Sequence, residues 1–162
     1  MNSTELKELL RESPAFSILS DQELDHLADR FEIVHYTIGE PVVQAGEVAD
    51  SFFVVYSGRA RVIATDRTGE EVTVGTLTRG NSFGEQGLLT NTLRNFTIRA
   101  TSDLVLLRVA KEDFDQLLRK QPILREYFDK YISEISIRNF LKLCTALTRL
   151  SADEIRDLLG SM

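Results

Sequence analysis

Apolar positions recur at helical spacing near both ends of this chain and at strand spacing between them. From Ser3 to Glu12, Leu6, Leu9 and Leu10 share one helical stripe, with Ser3 or Thr4 as the N-cap, and Pro14 ends it. Ser20-Asp21-Gln22-Glu23 is a capping-box pattern and predicts a second helix with Leu24, Leu27 and Ala28 on one face and Leu19 as a staple before the cap. From Phe31 the period falls to two. Strands are predicted over 31–36, 41–43 (an edge strand, since it opens on Pro41), 51–56, 59–65, 71–77, 95–101 and 104–109. Turns punctuate them at Gly39, Gly46, Gly58, Gly69 and Gly80, and Ser57-Gly58 predicts that the strands on either side pair directly.

A helix is expected again over 111–120, with Phe114, Leu117 and Leu118 on one side, and Pro122 either stops it or starts the next. From Ile123 to Leu150 there is neither Gly nor Pro, so a single helix of about 28 residues, about 42 Å, is predicted. Its apolar residues, including Phe128, Ile132, Ile135, Phe140, Leu143 and Leu147, wrap more than one face. Such a helix buries two sides, one against the strands and the other against a partner, either a second chain or a further part of this one. Its heptad match is too imperfect for a coiled coil.

Short strands separated by glycine turns predict a β-sandwich, jelly roll or barrel, and the flanking helices make the class α+β. The pattern divides the chain into an N-terminal helical segment (1–30), a β-roll (31–110), C-terminal helices (111–150) and a tail (151–162). The tail carries an echo: Leu19-Ser-Asp-Gln-Glu-Leu24 returns as Leu150-Ser-Ala-Asp-Glu-Ile155. Either both are simply capped amphipathic helices, or a second copy of the domain starts here.

Composition then narrows the function classes. With 25 acidic against 19 basic residues and a net charge of −6, nucleic-acid binding by the chain as a whole is not expected. The lone Cys144, in an apolar run, fits a small buried hydrophobe in a reducing, cytoplasmic setting. The first twenty residues are too charged for a signal peptide, and no apolar run approaches the ~20 residues of a membrane span. His26 and His35, with no His-x-His, leave no metal-ligand set. No catalytic constellation stands out, so the chain reads as a binding module and not an enzyme, with no cofactor.

The candidate chemistry lies in residues 83–100. Gly84 and Gly87 let backbone N–H groups approach an anion, while Glu85 and Arg94 offer an acceptor for hydroxyls and a planar donor for phosphate. That set suits a small molecule bearing both a sugar and a phosphate. Phe83-Gly-Glu-Gln-Gly-Leu-Leu89, with Arg94 and Thr97 at this spacing, resembles the phosphate-binding cassette of cyclic-nucleotide-binding domains. That family is shared by catabolite-activator-type regulators, cyclic-nucleotide-dependent kinases and gated channels. Gly39-Glu40, Gly46, Ala49-Asp50, Phe53-Val54-Val55, Gly58 and Gly80 match the same pattern, so the resemblance covers about residues 15–145.

The resemblance implies an antiparallel β jelly roll (a double-stranded β-helix barrel) flanked by N-terminal helices and a long C-terminal helix. It implies a ligand, cAMP ahead of cGMP, at Phe83, Gly84, Glu85, Gln86, Gly87, Arg94, Asn95 and Thr97. Glu85 would accept the ribose 2′-hydroxyl and Arg94 would pair with the cyclic phosphate. The alternative for those two residues is an internal ion pair that closes the loop. Arg138, Asn139 and Phe140 of the C-terminal helix would form a lid over the base; Asn139 suits the edge of adenine, or faces solvent.

Three residues depart from the family pattern. Leu93 stands where Pro is usual, and Asn95 and Phe96 stand where small residues are usual. Phe96 is core if strand alternation aligns it with Ile98 and Ala100, and fills purine space if it faces the pocket. Two functions therefore remain open. One is a regulatory cyclic-nucleotide sensor that relays occupancy through its C-terminal helix. The other is a degenerate module that binds no nucleotide and serves docking or oligomerisation, as a homodimer or within a larger transporter or transcription regulator.

Overall fold

The computed structural model describes residues 3–13, 16–65, 68–90 and 92–130. Helices α1 (Ser3–Glu12) and α2 (Asp21–Ala28) precede eight strands: β1 (Glu32–Tyr36), β2 (Pro41–Val43), β3 (Ser51–Ser57), β4 (Ala60–Thr65), β5 (Glu71–Leu77), β6 (Ser82–Phe83), β7 (Thr97–Ala100) and β8 (Leu104–Ala110). A short helix, α3 (Glu85–Thr90), separates β6 from β7, and α4 (Lys111–Lys120) follows β8. The strands form two antiparallel sheets, ordered β1-β8-β3-β6 and β2-β7-β4-β5. This is the jelly roll expected of the sequence.

One expectation fails. β3 and β4 do not pair with each other: β3 lies between β8 and β6, while β4 lies between β5 and β7 in the other sheet. Gly58 makes the crossing possible. Its φ is +90°, and a Cβ there would sit 2.1 Å from the Asp103 carbonyl oxygen. A hairpin turn and a corner between sheets both call for glycine, so composition alone does not separate them. The strand expected over 95–101 is also shorter, beginning only at Thr97.

Two apolar clusters hold the fold. Phe53, Val55, Phe83, Ile98, Ala100, Leu104 and Leu106 fill the space between the sheets. Phe52, Val54, Leu107 and Val109, on the opposite face of the first sheet, receive the helices through residues such as Leu9, Leu10, Phe16, Leu24 and Phe114. Leu6, Leu9 and Leu10 are all buried, as their spacing predicts. The capping box at the start of α2 forms in both directions, with the Glu23 amide donating to Ser20 Oγ and the Ser20 amide to the Glu23 carboxylate. After α4 the helix breaks at Gln121 and restarts at Pro122, so residues 122–130 are helical and bury Leu124 and Phe128. The rest of the helix predicted over 123–150, Cys144 and the tail lie outside the described residues. Among the described residues no helix is long and apolar enough to cross a membrane.

Candidate functional site

The first residues of β3, the end of β6 and the start of α3 meet the segment that leads into β7, and Arg94 lies at this junction. Its backbone is fixed from both sides. The Arg94 amide donates to Glu47 O at 2.8 Å, the Gly46 amide donates to Arg94 O at 2.8 Å, and Leu93 forms an antiparallel bridge with Val48. Its side chain turns inward and is 6% exposed. Nη2 donates to the Ser51 carbonyl at 2.8 Å and Nη1 to the Gly84 carbonyl at 3.2 Å, and Asp50 Oδ1 is 3.9 Å from Nη2. Burial lowers the Arg94 pKa, opposed by the Asp50, Glu85 and Glu47 carboxylates. Arginine stays protonated in proteins, so this is a buried cation.

Gly84 is required by this geometry twice over. Its φ is +99°, and a Cβ would lie 2.7 Å from Ser51 O and 2.9 Å from Arg94 Nη1. Any side chain at 84 would displace the guanidinium or the strand.

Glu85 opens α3 and is 5% exposed, and its Oε2 has no hydrogen-bond partner among the described residues. Burial pushes its pKa up to about 7, against the opposing pull of its own backbone N–H and of Arg94. Among the described residues Glu85 and Arg94 form no ion pair, so the loop is not closed by an internal salt bridge. A buried cation and a buried carboxyl with one unpartnered oxygen thus sit in one cassette without forming an ion pair. Such groups are unfavourable in a closed core and well suited to a ligand carrying both an anion and a hydroxyl.

A sequence model of the cyclic nucleotide-binding domain matches residues 33–121, more than half of the chain. The chain belongs to the cyclic nucleotide-binding domain family. It is 38% identical over 109 residues to the cAMP-dependent protein kinase regulatory subunit of Blastocladiella emersonii, covering 67% of this chain and 27% of that protein. The regulatory domain of Toxoplasma gondii PKA, co-crystallised with cAMP, superposes with a TM-score of 0.75 at 20% identity over 82% of this chain and 50% of that one. The regulatory subunit of a cAMP-independent protein kinase A from Trypanosoma cruzi, bound to guanosine, gives a TM-score of 0.67 at 22% identity over 82% of this chain and 51% of that one. At such identities the two structures speak to the fold. The chain spans about a quarter of the matched kinase subunit and about half of each solved chain.

Within this cyclic nucleotide-binding domain the cassette residues occupy different settings. Gly84, Glu85 and Arg94 are brought together around the head of β3. Phe83 is drawn into the core, its ring stacked on Phe53 at 4.8 Å. Gln86 and Gly87 lie in the first turn of α3. Thr97 Oγ1 accepts from the Ala45 amide at 3.1 Å, which ties the start of β7 to the loop after β2. Asn95 and Phe96 are half-buried in the run before β7, and Phe96 belongs to neither apolar cluster, because strand alternation begins one residue later. Arg138, Asn139 and Phe140 lie outside the described residues.

Ser51 and Asp50 went unread as site residues in the sequence. The signal available for Ser51 was a hydroxyl at the head of an otherwise unbroken apolar strand, on the face shared with Phe53 and Val55.

Proposed function

We propose that this chain is the ligand-sensing module of a longer regulatory protein and that it binds a cyclic nucleotide, cAMP ahead of cGMP. In this reading Arg94 pairs with the cyclic phosphate and Glu85 accepts the ribose 2′-hydroxyl. Gly84, Gln86, Gly87, Asn95 and Thr97 shape the surrounding cassette. Occupancy is relayed through the helices of 111–150, with Arg138, Asn139 and Phe140 closing over the base. The ligand would act by its differential affinity for two positions of that helix, and the module would work by binding without catalysis.

The observation that carries this reading is the pair of buried, mutually unpaired groups, the Arg94 guanidinium and the Glu85 carboxyl. Calorimetry with cAMP, cGMP and cyclic dinucleotides on the wild type and on Arg94→Ala is the test. Binding of a cyclic mononucleotide that weakens by about a hundredfold or more in the variant is expected, since charged hydrogen bonds are worth ~1.5–3 kcal/mol each.

A second reading has its own observation. Arg94 already donates to two main-chain carbonyls, and the bridged pair Val48 and Leu93 at the rim is 74% and 53% exposed. Those features fit a module that docks a protein, or a second copy of itself, and binds no nucleotide. Absence of heat with every nucleotide in the panel favours it.

A further inference from the structure

One buried polar group at the head of β3 has no role in the reading above. Ser51 is fully buried and its Oγ has no hydrogen-bond partner among the described residues. Buried hydroxyls are nearly always bonded, so an orphan at a binding site points to a missing partner.

Its direction and its neighbour identify that partner. Phe52 and Val54 face the helices, whereas Phe53 and Val55 face the space between the sheets. Successive strand residues alternate faces, so Ser51 lies on the inner face with Phe53 and Val55. At this end of the strand that face adjoins the cassette. The Ser51 carbonyl is 2.8 Å from Arg94 Nη2. Covalent geometry keeps a serine Oγ within about 4 Å of its own carbonyl oxygen. The hydroxyl therefore lies within about 7 Å of Nη2, a separation that a single phosphate group bridges. Arginine has no acceptor to offer a hydroxyl, so the proton on Oγ is available to that phosphate.

We propose that the Ser51 hydroxyl donates directly to a phosphate oxygen of the bound cyclic nucleotide, as a specificity residue acting beside Arg94. This rests on the cyclic-nucleotide reading of the cassette. It gives the phosphate a second donor from the strand framework, independent of the segment that carries Arg94. It also accounts for a hydroxyl that contributes no bond to the fold itself.

The test is calorimetry with cAMP and cGMP on the 162-residue chain, paired with thermal unfolding without ligand. Ser51→Ala should weaken binding about ten- to hundredfold, the worth of one hydrogen bond to a charged group. The ligand-free melting temperature should not fall, because no bond is lost. Ser51→Thr, which keeps the hydroxyl, should recover most of the affinity. Wild-type binding that is unchanged in Ser51→Ala overturns the inference and leaves the cyclic-nucleotide reading standing. So does a lower melting temperature with unchanged affinity, which would assign the hydroxyl a structural role. A wild type that binds neither nucleotide overturns the cyclic-nucleotide reading, and the inference falls with it.

Discussion

The two faces of β3 treat burial in opposite ways. On one face Phe52 and Val54 meet an aromatic cluster in which Phe52 stacks on Phe114 at 5.0 Å and meets Phe16 and Phe128 edge-on at 5.9 and 5.6 Å. That face ends at Tyr56, half-buried against the same cluster with the Arg79 guanidinium over its ring. On the other, Val55 and Phe53 continue the core between the sheets, but the strand begins at Ser51, beside a buried guanidinium and a buried carboxyl. A strand stabilises the fold through both faces only when both are apolar or satisfied. Here one face is complete, and the other ends in groups whose partners are not all supplied by the described residues. The first face builds the domain; the second is where we propose the ligand binds.

Substitutions on the two faces should therefore differ in sign as well as in size. Phe52→Ala, on the finished face, should lower unfolding free energy by about 3–5 kcal/mol, the range for removing a fully buried aromatic. Denaturant titration measures it, and a loss below about 1 kcal/mol would show that the aromatic cluster is not the keystone described. Glu85→Gln, at the start of α3 beside the unfinished face, should act the other way at neutral and alkaline pH. The Glu85 pKa is raised to about 7 in the folded chain by burial, above its ordinary value of 4.5. The folded state then binds the extra proton across that window. Glu85 consequently favours folding fully at low pH, and this contribution is lost as pH rises through about 7, a swing of about 3 kcal/mol between pH 4 and 8. Glu85→Gln removes the ionisation, so its stability advantage over the wild type should grow from near zero at pH 4 to its largest value at pH 8. An advantage that does not change with pH contradicts the burial of an ionisable group at 85. The smallest effect is expected far from both charges. Ser20→Ala breaks the capping box that starts α2, the helix that brings Leu24 and Leu27 to the finished face. It should lower stability by about 1 kcal/mol and leave nucleotide affinity unchanged. A matching fall in affinity would show that the two faces are not separable.

How much of this was legible in the sequence depends on whether a feature is local. The helical stripe of Leu6, Leu9 and Leu10, the capping box at Ser20 and the boundaries of α4 follow from short-range pattern and appear as read. The motif from Phe83 to Thr97 identified the family, which the matched domain bears out. Sheet membership was not legible, because Gly58 serves a hairpin and a sheet-crossing corner equally well in sequence, and only the approach of Asp103 from a distant segment distinguishes them. The partners of Arg94 were hidden for the same reason. They are main-chain carbonyls of Ser51 and Gly84, and a backbone acceptor leaves no mark on residue type. Phe96 shows the reverse problem: strand alternation aligns it with Ile98, but the strand begins only at Thr97.

The central claim is that the unfinished face of β3 is completed by a cyclic nucleotide held on Arg94. Equilibrium unfolding of the wild type and of Arg94→Ala, each with and without cAMP, tests it most directly. A ligand that binds only the folded state raises the unfolding free energy by about 2.7 kcal/mol when present at a hundred times its dissociation constant. The account predicts a rise of that size for the wild type at the corresponding cAMP concentration and almost none for Arg94→Ala at the same concentration. Equal rises in both proteins, or none in the wild type at millimolar cAMP, would contradict it.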